Sequence, residues 1–453
     1  MANKKVLFIT YYAPPVAASG TFRTVGFIRN LSQIGWDVEV LTVLPDGRHQ
    51  VNRELLKKIP AGVSVHQVRD VDLFSFVERS RKSPAVSAQP SAEGDGTNLM
   101  KTRSGIWRSL LHRVKESVSS FLKTPDFQIG WYVPALFRCI FSLKKPAVLY
   151  SSAPPYTGHL IGLACRFFWR VPLVCDFRDP WLDNPFRFER TGWVGRWDAW
   201  LEKQVFSRAD LLIANTAKSA ALFRSRFPRS AHKVEVIANG FDPEDYDSLV
   251  PKRDYPEDVC VLMHTGFLYG ERDPTNFLRA VQMLVEEKSC PHLRIALVGS
   301  ASVLDQNGDD LISRMGLESV VACLPPVPHD VALSLMKGAD ALLLLAVGTV
   351  LQIPAKLYEY LGVAKPILSV AEPASATAEL TETLSGLAYC ASNDTLKIKD
   401  ALLRLYADWQ ADPHFQRGAN LGASVEAILA SLTRRQQARV LSDSFERLVS
   451  GKR

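Results

Sequence analysis

Short, uninterrupted apolar runs recur along this chain, and each is followed by a stretch in which apolar residues return at helical spacing. Lys5–Thr10 and Ala147–Ser152 are such runs, Val38–Thr42 and the start of Pro172–Trp181 read as further short strands, the latter ending in a charged cluster, and apolar stretches lie within Asp210–Asn215 and Val234–Asp242. A second series follows with Val259–Gly266, Leu293–Gly299, Val320–Leu324, Asp340–Leu345 and Pro366–Val370. Runs of this length without polar alternation read as strands buried on both faces, which is the habit of parallel sheets with helices on either side. Regular alternation with helical segments makes the class α/β. Between the two series, residues 243–256 replace apolar runs with Pro, Asp and Lys. The pattern predicts two domains, 1–245 and 255–430, each a Rossmann-like doubly wound sheet, followed by a periodic helical segment at 431–453.

Three stretches stand apart. Residues 79–100 are rich in Ser, Ala, Pro and Gly and offer nothing for a core, so a disordered insertion is expected there. At 103–123 an apolar stripe (Ile106, Trp107, Leu110, Leu111, Val114, Val118, Phe121, Leu122) is flanked by Arg103, Arg108, Arg113, Lys115 and Lys123. Such a basic amphipathic helix suits either an anionic membrane surface or one face of a core. Trp193, Trp197 and Trp200 recur at helical spacing before Val205 and Phe206, and core packing is the expectation for these tryptophans.

Composition narrows the functions available. With 453 residues, 47% hydrophobic and 22% charged, the chain is an enzyme-like globular protein, and its net charge of +7 suits anionic ligands without demanding nucleic acid. No recognised nucleic-acid motif accompanies the charge, so no nucleic-acid partner is expected. Seven cysteines without Cys-x-x-Cys spacing point to a reducing compartment and no structural zinc. No apolar run reaches the roughly 20 residues of a spanning helix, so a cytoplasmic protein is expected, with contact at the inner face of the cell membrane left open.

Candidate chemistry falls where strands end. Pro354 opens a predicted helix that runs to about Leu361 and ends at Gly362; Lys356 and Glu359 share one of its faces, beside backbone N–H groups able to hold a diphosphate. A carboxylate there can accept hydrogen bonds from ribose hydroxyls, and the plain alternative is a solvated ion pair. Gly266 and Gly299 end two strands and allow close approach of a ligand, while Arg272 in the next loop offers a fork of donors to phosphate. In the first half, Gly20 and Arg23 follow strand one, His159 lies in the first turn of a helix, and Arg178 stands between Asp176 and Asp179. Either these residues face a ligand, or Arg178 ties the aspartates into a buried network and Arg23 lies on the surface.

The segment Pro-x-Lys-Leu-x-Glu-Tyr-Leu-x-x-x-Lys-Pro-Ile-Leu, together with Tyr-Tyr-x-Pro-Pro…Gly-x-x-Arg, Ser-x-Pro-Pro…His and Asp-x-Arg-Asp-Pro-Trp, resembles glycosyltransferase family 4 of the GT-B fold. That resemblance implies two facing Rossmann-like domains with an interdomain cleft, and a carboxyl-terminal helix crossing back to the first. It implies a glycosyltransferase moving sugar from a nucleotide-diphosphate sugar to the hydroxyl of a glycan or lipid-linked acceptor, with retention of configuration, no cofactor and no metal, plausibly in polysaccharide or envelope-glycan synthesis. Donor-binding residues would be Gly266, Arg272, Gly299, Lys356 and Glu359; acceptor-side residues would be Gly20, Arg23, His159, Arg178 and Asp179. Arg272, Lys356, His159 and Asp179 would serve the transfer itself. The pattern departs from the family at Leu351, where a first glutamate is usual. A non-catalytic nucleotide-sugar-binding or scaffold protein and a nucleotide-sugar epimerase are the alternatives.

Overall fold

A computed structural model describes residues 4–71, 119–185, 187, 189–268, 273–299, 303, 310–415 and 422–451. The expected insertion at 79–100, most of the expected basic helix 103–123, and Arg272 lie outside the described residues; 119–122 are helical. The chain divides into two compact units, one comprising Met1–Ile213, Arg224–Glu235 and Ser442–Arg453, the other Ala214–Phe223 and Val236–Leu441. Both are α/β and doubly wound, as the alternation of runs predicts. Among the described residues, no helix is long and apolar enough to cross a membrane.

Seven strands form the first sheet: β1 (Lys5–Thr10), β2 (Asp37–Val43), β3 (Ser64–Val68), β4 (Val148–Ala153), β5 (Leu173–Phe177), β6 (Leu211–Ala214) and β7 (Val234–Val236). Their order is β3-β2-β1-β4-β5-β6-β7. The pairs from β3 through β5 are parallel, with Val6 opposite Val38 on one side and Val148 on the other. Helix α1 (Ser19–Ile34) ends at Gly35, whose left-handed φ of 98° lets the chain turn back into β2. Three helices that matter below are α2 (Tyr132–Ser142), α3 (Thr157–Trp169) and α4 (Gly192–Arg208).

The second sheet has six strands, β8 (Cys260–Thr265), β9 (Leu293–Val298), β10 (Val321–Leu324), β11 (Ala341–Ala346), β12 (Ile367–Ala371) and β13 (Ala388–Ala391), ordered β10-β9-β8-β11-β12-β13. All its pairs are parallel. β8, β11 and β12 are buried throughout, which is why they read as unbroken apolar runs. Helix α5 (Ala355–Val363) follows β11 and passes through the position of Gly362, expected to end it; the reversal comes at Ala364, in the left-handed region at φ 58°. Gly362 is needed for another reason. A side chain there would press into the Tyr246 ring, 2.3 Å from its Cε2.

The last turns of the terminal helix α6 (Arg434–Ser450) belong to the first unit. Trp36 Nε1 donates to Ser442 Oγ at 2.9 Å, and the Phe445 ring lies 5.2 Å from Trp36 and 6.2 Å from Tyr150. Phe445 has no exposed surface. Phe445→Ala is therefore expected to destabilise the first unit by about 3–5 kcal/mol, measured by urea unfolding; a loss under about 1 kcal/mol would show that the segment only rests on the surface.

Candidate active site

In a doubly wound sheet, ligands bind outside the carboxyl ends of the strands where the strand order reverses. The reversal lies between β1 and β4 in the first unit and between β8 and β11 in the second. Candidate residues of each half follow those strands or their neighbours.

In the second unit, Gly266 ends β8 at φ 128° and Gly299 ends β9 at φ 126°. The two loops touch backbone to backbone: a Cβ on Gly299 would stand 2.6 Å from the Gly266 carbonyl oxygen. Glycine at both places removes side chains from the mouth of the sheet. Over Gly266 lies Lys356, whose Cε is 3.4 Å from where a Cβ would be. Lys356 Nζ donates to Glu359 Oε2 at 3.0 Å, and His329 Nε2 lies 3.3 Å from Glu359 Oε1. Glu359 keeps 18% of its side-chain surface exposed. Burial pushes its carboxyl up, but the hydrogen bond from His329 and the Lys356 charge outweigh this and hold it at about 2. An ionised acceptor is thus fixed beside a cation at the start of α5, whose N-cap position is Pro354 and whose N-terminus has no side-chain cap. Pro354 sits one residue before the helix, where its missing N–H is equally harmless. His264 on β8 bonds the Leu343 carbonyl through Nδ1 at 3.0 Å, tying β8 to β11 beneath the Gly266 turn.

Leu351, standing where the family's first glutamate is usual, belongs to a loop held by its own backbone. Its carbonyl accepts from Thr216 Oγ1 at 2.6 Å and Ser219 Oγ at 3.1 Å. A carboxylate does reach this loop from elsewhere, since Glu372 Oε1 accepts from Gly348 N at 3.3 Å.

The first unit brings together Gly20, Arg23, Asp176 and Arg178, with a division of labour that sequence alone left open. Arg23 is not on the surface. Its guanidinium grips Asp176 through two bonds of 2.9 and 2.8 Å, and both side chains are buried. Tyr150 and Ser152 also donate to Asp176, at 2.5 and 3.3 Å. Burial raises the Asp176 carboxyl, yet Arg23, the Tyr150 hydroxyl and the Arg178 charge leave it below the usual carboxylate range. Arg178 follows β5, donates to the Pro154 carbonyl and lies 6.0 Å from the Tyr12 ring centre. Gly20 lies directly beneath it: a Cβ there would fall 1.8 Å from its Nη1, so the guanidinium would have to move. Burial raises the Asp179 carboxyl, against the opposing charge of Arg178.

Two anchors hold the Asp179 loop. Trp181 stacks on Tyr156 at 4.7 Å, Tyr156 OH donates to the Pro180 carbonyl at 2.6 Å, and Trp181 Nε1 donates to Asp198 of α4 at 2.9 Å. His159 has no exposed surface; its Nδ1 lies 2.8 Å from Ser151 Oγ and its ring packs on Phe177 at 4.4 Å. Burial pushes it down to about 3, with the Asp176 charge opposing. His159 is therefore a neutral, enclosed ring rather than an open acid or base. His329 is not among the site residues expected from the sequence, and its bond to Glu359 spans a 30-residue separation that no local spacing reveals.

The chain resembles known proteins in sequence and in fold. The family described as "Glycosyl transferase 4-like domain" matches residues 21–240. A D-inositol 3-phosphate glycosyltransferase of Nocardioides sp. (strain ATCC BAA-499 / JS614) is 30% identical over 230 residues, covering 42% of this chain and 48% of that protein. Another, of Streptomyces scabiei, is 29% identical over 157 residues, 32% of this chain and 35% of its own. The chain thus matches about half of these relatives' length or less. Among solved structures, sucrose-phosphate synthase from Thermosynechococcus elongatus superposes with a TM-score of 0.64 at 13% identity, covering 99% of this chain and 100% of that one. Anabaena Alr3699/HepE, solved in complex with UDP and glucose, gives 0.57 at 17% identity, with 98% and 100% covered.

Two outcomes follow from the buried groups. Arg23→Met strips Asp176 of its counter-charge and should cost about 3–5 kcal/mol in urea unfolding; Arg23→Met combined with Asp176→Asn should recover part of this, and no recovery would contradict the pairing. Folded His159 stays neutral to about pH 3, whereas an unfolded histidine titrates near 6.5, so in that window the unfolded chain binds the extra proton and stability falls as pH drops. Denaturant titrations between pH 7 and 5 should show His159→Gln shallower than wild type by up to about 1.4 kcal/mol per unit; equal slopes would mean the ring protonates when folded. Residues 21–240 thus match a glycosyltransferase family, and the two parallel sheets share the fold of these solved structures.

Proposed function

We propose that this protein is a glycosyltransferase whose second unit binds a nucleotide-diphosphate sugar and whose first unit binds the acceptor. The observation that carries this reading is the Glu359 carboxylate, held ionised between Lys356 and His329, partly open, beside the uncapped start of α5. Ribose hydroxyls would donate to Glu359, and the diphosphate would lie on the α5 amides and Lys356, with Arg272, six residues after Gly266 in sequence, as a further cation. The glycine mouth at 266 and 299 leaves room for a phosphate against backbone.

On this reading the bond from the anomeric carbon to the β-phosphate oxygen breaks, and the acceptor oxygen bonds to the same carbon. The acceptor proton leaves with the departing diphosphate, whose charge is met by Lys356, Arg272 and helix amides rather than a metal. Configuration is retained, as the family resemblance implies. His159 and Asp179 would act by shaping the acceptor side: the first is enclosed, and the second lies on an anchored loop beside Arg178. The acceptor would be a hydroxyl of a glycan or lipid-linked glycan.

Non-catalytic donor binding is the second reading, favoured by Leu351 where the family's first glutamate is usual. One experiment separates them. Nucleoside diphosphate sugars are screened by thermal shift on wild type and Glu359→Ala, and the stabilising donor is then incubated with glycan acceptor pools. The transferase reading expects a rise in Tm with one nucleotide class, lost or at least tenfold weaker in Glu359→Ala, followed by product formation. Donor binding without transfer or donor hydrolysis would select the second reading, and equal donor affinity in the variant would overturn the site.

A further inference from the structure

Nothing in the site or in the sheet core accounts for the outer face of three neighbouring helices in the first unit. α2 packs on α3, and α3 on α4. On α2, Val133, Phe137 and Phe141 fall one turn apart along a single exposed stripe, and the two rings touch each other at 4.6 Å. α3 ends in Phe167 and Phe168, of which Phe167 is 87% exposed. On α4 the tryptophans expected in the core lie on the opposite side from it: Val194, Leu201 and Val205 are buried, while Trp193, Trp197 and Trp200 are 37–46% exposed. Single exposed aromatics are ordinary, but such groups recurring on three adjacent helices mark a contact surface.

Charge says what the contact is. α2 and α3 contain no Asp or Glu, and both carboxylates of α4, Asp198 and Glu202, are buried. Every exposed charge on the three helices is therefore basic: Arg138, Arg196, Lys203 and Arg208. Trp and Phe among Lys and Arg, with the neighbouring Asp210 already bonded to Arg166 of α3, match the boundary of an anionic bilayer, where aromatic rings settle at headgroup depth and cations meet lipid phosphates. A second copy would set like charges face to face. Single-stranded nucleic acid stacks its bases on open ring faces, whereas here Trp197 stacks on Trp200 at 4.8 Å and Phe121 lies 5.1 Å from Trp193.

We propose that the outer face of α2, α3 and α4 docks this protein onto an anionic lipid bilayer. The proposal goes beyond the transferase reading and does not depend on it. It is tested by sedimenting the full chain with phosphatidylcholine vesicles, with and without phosphatidylglycerol. Binding is expected only with the anionic lipid, weakening as salt rises. Trp197→Ser with Trp200→Ser, and separately Arg196→Glu with Lys203→Glu, should each lower the partition coefficient about tenfold or more in a chain still folded at the assay temperature, and the exposed charge pair does so without loss of ring packing. Absence of binding to anionic vesicles would overturn the proposal. So would wild-type binding by both variants, or a variant whose only change is loss of self-association in sedimentation velocity.

Discussion

Parallel strands covered on both faces leave the chain few places for polar chemistry. Along β8, β11 and β12 every side chain is buried, so a ligand can be met only where these strands stop. The same holds for β4 and β5 in the first unit. This constraint explains why the candidate residues lie in the loops and first helical turns that follow strands. It also explains the glycines: where β8 and β9 end, Gly299 lies too close to the Gly266 backbone to carry a side chain, and Gly266 turns the chain at a φ of 128° that side chains rarely adopt.

Three carboxylates at these ends show how environment divides one chemistry into separate roles. Asp176 is buried, but Arg23 and Tyr150 hold it ionised, and it works as an internal brace between β5 and α1. Asp179, three residues on, is raised by burial and sits in a loop pinned by Trp181 and Tyr156. Glu359 combines ionisation with access, since its partners are a lysine and a histidine that remain partly exposed. Of the three, Glu359 has the character of a ligand-binding group, because its charge is stabilised before any ligand arrives while part of its surface stays open.

Much of this was legible in the sequence. Unbroken apolar runs mark parallel strands directly, and the three-residue spacing of Lys356 and Glu359 places both on one helical face. Less legible was anything depending on which of two faces turns inward. α4 carries two stripes, one of Trp193, Trp197 and Trp200, the other of Val194, Leu201 and Val205 interrupted by Asp198 and Glu202. Hydrophobicity favours burying the tryptophans. The fold buries the second stripe, because Asp198 is needed inside by Trp181 and Arg187, and Glu202 by the backbone of Leu182. Arg23 misled for a similar reason: its partner Asp176 is 153 residues away, and a long-range ion pair has no local signature. His159 lies in the first helical turn as its spacing suggests, yet the packing of Phe177 that encloses it comes from another strand.

The most direct measurement is a crystal structure of the protein with a nucleotide-diphosphate sugar bound. The account predicts ribose hydroxyls on Glu359, the diphosphate against the first amides of α5 and Lys356, and the sugar near the turns of Gly266 and Gly299. A donor seated elsewhere, with the Lys356–Glu359–His329 contacts unchanged and solvent at the start of α5, would contradict it.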